Sequence, residues 1–283
     1  MSGDVDILMV TYDRAEYTRI TLNQLLDTST EGTRIWIWHN GNHQPTLNVV
    51  RSYLDHPRLF RFHHSNENKK LREPTNWFLT EAEGPYLAKV DDDLLMPAGW
   101  IQRIVSAYQA NPDVGVLGTW PFMAEDIRPE LAERKVVPLQ GGDSMMLNCW
   151  VGGNGVVVKK ELVKKIGLIR KKESFPRWMM RACAKGYNVG WLYPFIVCEN
   201  LDDPRSEFCR IKTDEDAKRY AGLSNQVLGL FTVEELVSTI REQAIGVQMT
   251  PYDIRQHIGP RAFARRVIGK VGRVISRHVK ERG

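Results

Sequence analysis

The sequence predicts an α/β protein with a mostly parallel central sheet flanked by helices, followed by a helical C-terminal extension. Three observations predict it. Short apolar runs alternate through the first half with amphipathic stretches of roughly 10–15 residues, the pattern of βαβ units. Polar turns follow three of those runs, "VTYDR", "WHNGN" and "VDDDLL", and in parallel sheets ligands bind beyond the carboxyl ends of the strands. From about residue 212 the apolar spacing is helical to the end.

The elements follow in order. "VDILMV" (5–10) is a buried strand, and residues 14–28 form a helix with Ile20, Leu22, Leu25 and Leu26 inward. "TRIWIWHNGN" is a strand ending at an Asn-Gly turn, "QPTLNVVRSYLD" a helix and "RLFRFHHS" a short strand. "EPTNWFLTEAEG" is a helix with Pro74 in its first turn and Gly84 past its end. "PYLAKV" is a fourth strand, which runs into Asp91, Asp92 and Asp93. The second half opens with a helix, "PAGWIQRIVSAYQANP", and the strand "VGVLGTW". Residues 121–144 read as irregular. A Gly-rich turn, a Val strand and a short helix follow in "CWVGGNGVVVKKELVKKIG". "FPRWMMRACAKG" is a helix, "YNVGWLYPF" a strand and "VCENLDDPRSEF" a polar segment.

Composition narrows the function. The chain of 283 residues is long enough for a sizeable core, and 42% apolar with 26% charged residues is ordinary for a globular protein. No run of 18 apolar residues suggests a membrane span. The opening residues lack the pattern of a signal peptide, and Cys149, Cys183, Cys198 and Cys209 show no disulfide or metal spacing. A cytoplasmic setting is the expectation. The net charge is +5, but residues 261–283 hold eight Lys or Arg and one Glu, which leaves about −2 for the first 260 residues. A near-neutral body argues against a nucleic-acid partner.

Three adjacent carboxylates after a buried strand demand an explanation, because burying an unpaired charge costs several kcal/mol. Either the turn is solvated or something positive sits on it. In this order of elements the chain resembles the family 2 glycosyltransferases, which have the GT-A fold. "ILMVTYDRAEYTRITLNQLL" is similar to the family's opening strand and helix, and "NWFLTEAEGPYLAKVDDDLLMPAGWI" to its helix, strand and DxD motif. "GGNGVVVKKELVKKIG" and "FPRWMMRACAKGYNVG" look like its acceptor-side strand and late helix; the resemblance spans roughly residues 4–205.

The resemblance implies a metal-dependent, inverting transfer of a sugar from a nucleotide diphosphate to an acceptor hydroxyl, in cell-surface polysaccharide or glycolipid synthesis. A divalent cation, Mn²⁺ or Mg²⁺, would be held by Asp93, with Asp91 facing the ribose or the metal, since hard cations take carboxylate oxygens. Asp92 would share the metal or stand behind it. Thr11, Tyr12, Asp13, His39, Asn40 and Asn76 would line the nucleotide site, with Arg205 on the diphosphate or paired with Asp203. His39 stands where the family commonly has an Asp meeting the base, so UDP is the default donor nucleotide and dTDP or GDP stay open. Glu173 is the candidate general base, with Ser174 where an Asp often stands; Asp202 and Asp203 are the other carboxylates in reach. Trp150, Gly152, Gly153 and Asn154 would face a glycan or lipid-linked acceptor. A nucleotide-sugar-binding scaffold without transfer, or a metal-dependent phosphoryl-transfer or hydrolytic enzyme, are the alternatives.

The expected organisation is a catalytic domain over 1–210, with a nucleotide-binding half to 95 and an acceptor half from 96, then a helical extension over 211–283. Near its end Phe263, Val267, Val271, Val274 and Ile275 share a helical stripe flanked by Arg265, Arg266, Lys270, Arg273, Arg277 and Lys280. That is the pattern of an interfacial helix drawn to anionic lipid at the inner membrane face; a helix packed on the domain is the alternative.

Overall fold

The computed structural model describes residues 5–259. In chain order the elements are β1 (Val5–Thr11), α1 (Ala15–Thr28), β2 (Thr33–Asn40), α2 (Gln44–Arg51), β3 (Leu59–Ser65), α3 (Arg72–Glu81), β4 (Tyr86–Asp91), β5 (Leu94–Leu95), α4 (Trp100–Ala110), β6 (Val114–Gly118), α5 (Pro129–Ala132), β7 (Val136–Pro138), β8 (Ser144–Asn148), β9 (Val156–Lys159), α6 (Lys160–Ile166), α7 (Phe175–Ala184), β10 (Asn188–Tyr193), β11 (Glu199–Asn200), α8 (Asp214–Tyr220), α9 (Leu223–Leu228) and α10 (Val233–Met249).

Nine strands form one sheet in the order β3-β2-β1-β4-β9-β6-β10-β8-β7. Only β9 and β8 run against the others. Both faces are covered, which explains why β1 and β2 are apolar along most of their length rather than alternating. Ile7 and Met9 point to the face under α1 and α4, with Leu22, Leu25 and Ile104. Leu8 and Val10 point to the other, with Trp36, Phe78 and the α7 residues Trp178 and Met179. Trp120 and Trp178 are fully buried core, not sugar platforms.

The stretch 121–144 is more ordered than its sequence suggests. It contains α5 and the edge strand β7, which pairs with β8 in a hairpin. Gly141 and Gly142 turn that hairpin with φ of 94° and 95°, which only glycine adopts readily. The helical pattern after 212 appears as α8, α9 and α10, and α10 packs on the body. Gln248 accepts from the Arg128 amide and donates to the Asp126 carbonyl, and Lys135 donates to the Val247 and Thr250 carbonyls. The basic stripe from Phe263 to Lys280 lies outside the described residues. Among the described residues no helix is long and apolar enough to cross a membrane.

Candidate active site

Parallel register assembles the site. Thr11 at the end of β1 lies opposite His39 of β2, and Val10 lies opposite Asp91 of β4. Three turns far apart in sequence therefore open on one edge. A two-stranded sheet adds a fourth segment: β5 pairs with β11, and the Leu201 amide donates to the Asp93 carbonyl at 2.8 Å. This pairing brings Asp202 beside the aspartate run.

Each aspartate has its own partner. Lys89 and Asp91, two apart on β4, share a strand face and form a close ion pair. The same ammonium donates to the Gly153 carbonyl at 2.9 Å. Asp92 is buried and accepts from the Tyr12 amide at 3.3 Å and the Thr18 hydroxyl at 3.2 Å. Burial pushes its carboxyl up to about 7; Arg14 opposes this and Asp91 adds to it. Asp93 accepts from Arg14 Nη1 at 2.7 Å, while Arg14 Nη2 donates to Asp202 at 2.9 Å. Burial, Asp202, Asp91 and Asp92 hold the Asp93 carboxyl well above the usual carboxylate range, against the pull of Arg14. Two cations thus face four carboxylates.

Arg14 and the four carboxylates line a cleft of about 950 Å³, with Lys89 buried behind it. Of the residues expected at the site, Tyr12, Asp13, Asn40, Asp91, Asp92, Asp93 and Asp202 line it. Asp13 adopts φ of 49°, uncommon for a residue other than glycine, at the corner into α1. Asn40 ties down the loop before α3 by accepting from the Lys69 amide and donating to the Lys70 carbonyl. Gly41 follows with φ of 78°, and a Cβ there would meet the Tyr12 ring at 3.2 Å, so the Asn-Gly turn lets that ring lie close.

Two of the expected nucleotide contacts sit behind this wall. His39 is 0% exposed, its Nδ1 bonded to the Thr11 hydroxyl at 2.8 Å. Burial first, then His64, lowers its pKa to about 4, so the ring is neutral. Its Nε2 has no hydrogen-bond partner among the described residues. Thr11 is equally buried.

Several expected site residues are engaged elsewhere. Asn76 exchanges both amide bonds with Ile169, at 2.8 and 3.0 Å, and staples α3 to the loop after α6. Both Glu173 oxygens accept from Arg181, at 2.8 and 2.9 Å, and one also accepts from the Arg170 amide. Glu173 does not line the cleft, and the cap of α7 is Ser174, whose hydroxyl accepts from the Arg177 amide. Asp203 is buried, and Arg205 is forked between Asp203 and Asp126 and also reaches Glu125, so its guanidinium is committed to protein carboxylates rather than to the cleft. Trp150 packs edge-on against His257 at 5.0 Å. Gly152 and Asn154 form a tight turn, and only Gly153 of that loop bonds to the aspartate cluster, through Lys89.

Sequence reasoning missed Arg14 and Lys89. Each carried a signal, an Arg beside the first turn and a lone Lys inside an apolar strand. It also missed the far wall: Arg210, Arg219, Tyr220, Asn225, Gln226 and Gln243 of the C-terminal segment line the cleft, as does Lys70 from the loop before α3. The Arg210 and Arg219 guanidiniums both stack near the Tyr220 ring, at 4.3 and 5.1 Å.

Comparison with known proteins supports this fold. The model of the family described as Glycosyl transferase family 2 matches residues 6–136. Among solved structures, the chain is similar to the mannosyltransferase PcManGT from Pyrobaculum calidifontis in complex with GDP-Man and Mn²⁺. The TM-score is 0.57 at 16% identity, over 96% of this chain and 80% of that one. It is similar too to S. aureus TarS 1–349 in complex with UDP-GlcNAc, with a TM-score of 0.55 at 14% identity over 90% and 89% of the two chains. Identities this low speak for the fold. Residues 6–136, with the site's three turns among them, match glycosyltransferase family 2, and the chain as a whole has the fold of the GT-A glycosyltransferases.

Proposed function

We propose that the chain transfers a sugar from a nucleotide diphosphate donor to an acceptor hydroxyl by one inverting displacement that depends on Mn²⁺ or Mg²⁺. The observation that carries this reading is the acidic cluster at the strand ends: Asp91, Asp93 and Asp202 open on one cleft, and among the described residues only Lys89 and Arg14 form ion pairs with them. Among the described residues no group of three or more acidic, His or Cys side chains is already gathered around a single ion position. The donor chemistry nevertheless fits a hard cation, because Asp93 and Asp202 already share one positive group, the Arg14 guanidinium.

Asp93 and Asp91 would hold the cation, which when bound neutralises charge on the departing diphosphate. Tyr12, Asp13 and Asn40 bound the nucleotide end of the cleft. Lys70, Arg210 and Arg219 are the cations of its rim and favour an anionic donor. The proton of the acceptor hydroxyl needs a base within hydrogen-bond reach. We assign it to Asp202, whose Oδ2 is held by Arg14 and whose other oxygen is free of hydrogen bonds among the described residues. Loop 152–154, joined to Asp91 through Lys89, is the proposed acceptor side. The donor nucleotide is UDP by default, with dTDP or GDP as alternatives. The setting is cytoplasmic, at the inner membrane face, in polysaccharide or glycolipid assembly.

Nucleotide-dependent thermal shift tests the reading. UDP-, dTDP- and GDP-sugars are each added with Mn²⁺ or with EDTA, since a ligand that binds only the folded chain raises its Tm. One nucleotide should raise Tm with Mn²⁺ and not with EDTA, and Asp93→Asn should lose that response. An equal response in EDTA would reject the cation. A binding scaffold is the second reading, favoured by Ser174 in the place of a catalytic Asp. It predicts the same Tm response with no transfer of labelled sugar.

A further inference from the structure

We propose that Arg14 is an exchangeable counter-ion: it holds Asp93 while no divalent cation is bound and must release it for the cation to enter. The inference rests on the cation-dependent reading above and deepens it, because it names the protein group with which the cation competes.

The geometry is specific. Arg14 occupies the residue before α1, at the corner beyond β1. Its two terminal nitrogens reach different segments, Nη1 to Asp93 Oδ2 at 2.7 Å and Nη2 to Asp202 Oδ2 at 2.9 Å. Charge-assisted bonds of this length are among the stronger ones in proteins. The pair is also partly shielded, with Arg14 and Asp93 side chains 26% and 20% exposed. The C-terminal segment closes over it: a Cβ on Gly222 would lie 3.0 Å from Arg14 Nη2, so a glycine leaves the guanidinium its room.

A cation on Asp93 meets this guanidinium at the same carboxylate. Two positive groups on one carboxylate repel, and a partly shielded site screens that repulsion less than bulk water does. The Nη1 contact therefore yields, while Nη2 keeps Asp202 oriented. Without the cation, Arg14 ties Asp93 to Asp202; with it, the Nη1 end of the guanidinium is left to the cleft while Nη2 stays on Asp202. The apparent cation affinity is the intrinsic one reduced by the strength of the Arg14–Asp93 contact.

Titration calorimetry with Mn²⁺ alone and thermal unfolding, on the full chain, test this with no turnover measurement. Wild type, Arg14→Gln, Arg14→Lys and Asp93→Asn are compared. Arg14→Gln should bind Mn²⁺ tighter by about tenfold or more, the scale of one charge-assisted bond. It should melt below wild type in EDTA and gain more Tm than wild type from saturating Mn²⁺. Arg14→Lys keeps a charge that cannot fork and should fall between them; it carries the test if the Gln variant does not fold. Asp93→Asn should bind no Mn²⁺. Mn²⁺ binding by wild type that Arg14→Gln leaves equal or weakens would overturn the counter-ion role and leave the cation reading standing. No Mn²⁺ binding by wild type, Arg14→Gln or Arg14→Lys would overturn both.

Discussion

His39 shows how one side chain can matter through what it cannot do. It stands one residue before the end of β2 as a neutral ring bonded to Thr11, with a buried Nε2 that has no partner among the described residues. Protonating it would place a charge in the core. Its folded pKa is depressed from 6.5 to about 4, so the unfolded chain takes up the proton first as pH falls. The resulting stability is complete above about pH 6.5 and is lost as pH drops towards 4; over the whole window it amounts to about 3 kcal/mol. Denaturant melts at pH 7.5, 6 and 4.5 should show this loss in wild type and a smaller one in His39→Gln. Parallel curves for the two proteins would mean that other groups set the acid limit.

At the scale of elements, hydrogen-bond partners decide which carboxylates are left for chemistry. Arg181 of α7 grips Glu173 with two nitrogens and also donates to the Ile166 and Leu168 carbonyls, so it ties the loop after α6 to the helix. Glu173→Gln should therefore cost stability, about 1–3 kcal/mol for charge-assisted bonds, read as a lower denaturant midpoint. Turnover should stay within about threefold of wild type, against the roughly 10²-fold or greater loss that removal of a general base brings. A drop of that size with an unchanged midpoint would return Glu173 to the role of base. Asn76 and Arg205 teach the same lesson, since each is held by an amide or carboxylate that spacing along the chain does not reveal.

Across the whole molecule, the C-terminal segment both completes the cleft and leads towards the basic stripe from Phe263 to Lys280. α10 is fixed to the body through Gln248 and Lys135, while Arg210, Arg219 and Tyr220 line the cleft. Membrane attachment, if it resides in the basic stripe, should then be separable from nucleotide binding. The full chain should sediment with anionic vesicles, less so at high salt. A chain ending before Gly259 should stay in the supernatant and keep its nucleotide-dependent rise in Tm. Equal sedimentation of both chains would place the contact elsewhere, and aggregation of the shorter one would mark the stripe as a packed helix.

The sequence by itself determined the α/β class, the strands from β1 to β4, the helices between them, and the three turns that meet at the sheet edge. Those features are local: period, caps and breakers act within one stretch of chain, and parallel connections then place strand ends side by side. Tertiary structure decided what balances the aspartates. Lys89 reaches Asp91 because both lie on one strand face and Arg14 lies near Asp93 because β1 and β4 are neighbours, but Asp202 joins them only because β5 pairs with β11, a two-residue contact with no sequence period to announce it. The same holds for His39, whose burial depends on neighbours from β1 and β3, and for the cleft wall built by residues 210–243. Charge pairing and burial depend on distances between segments remote in the chain, and a linear pattern carries no such distances.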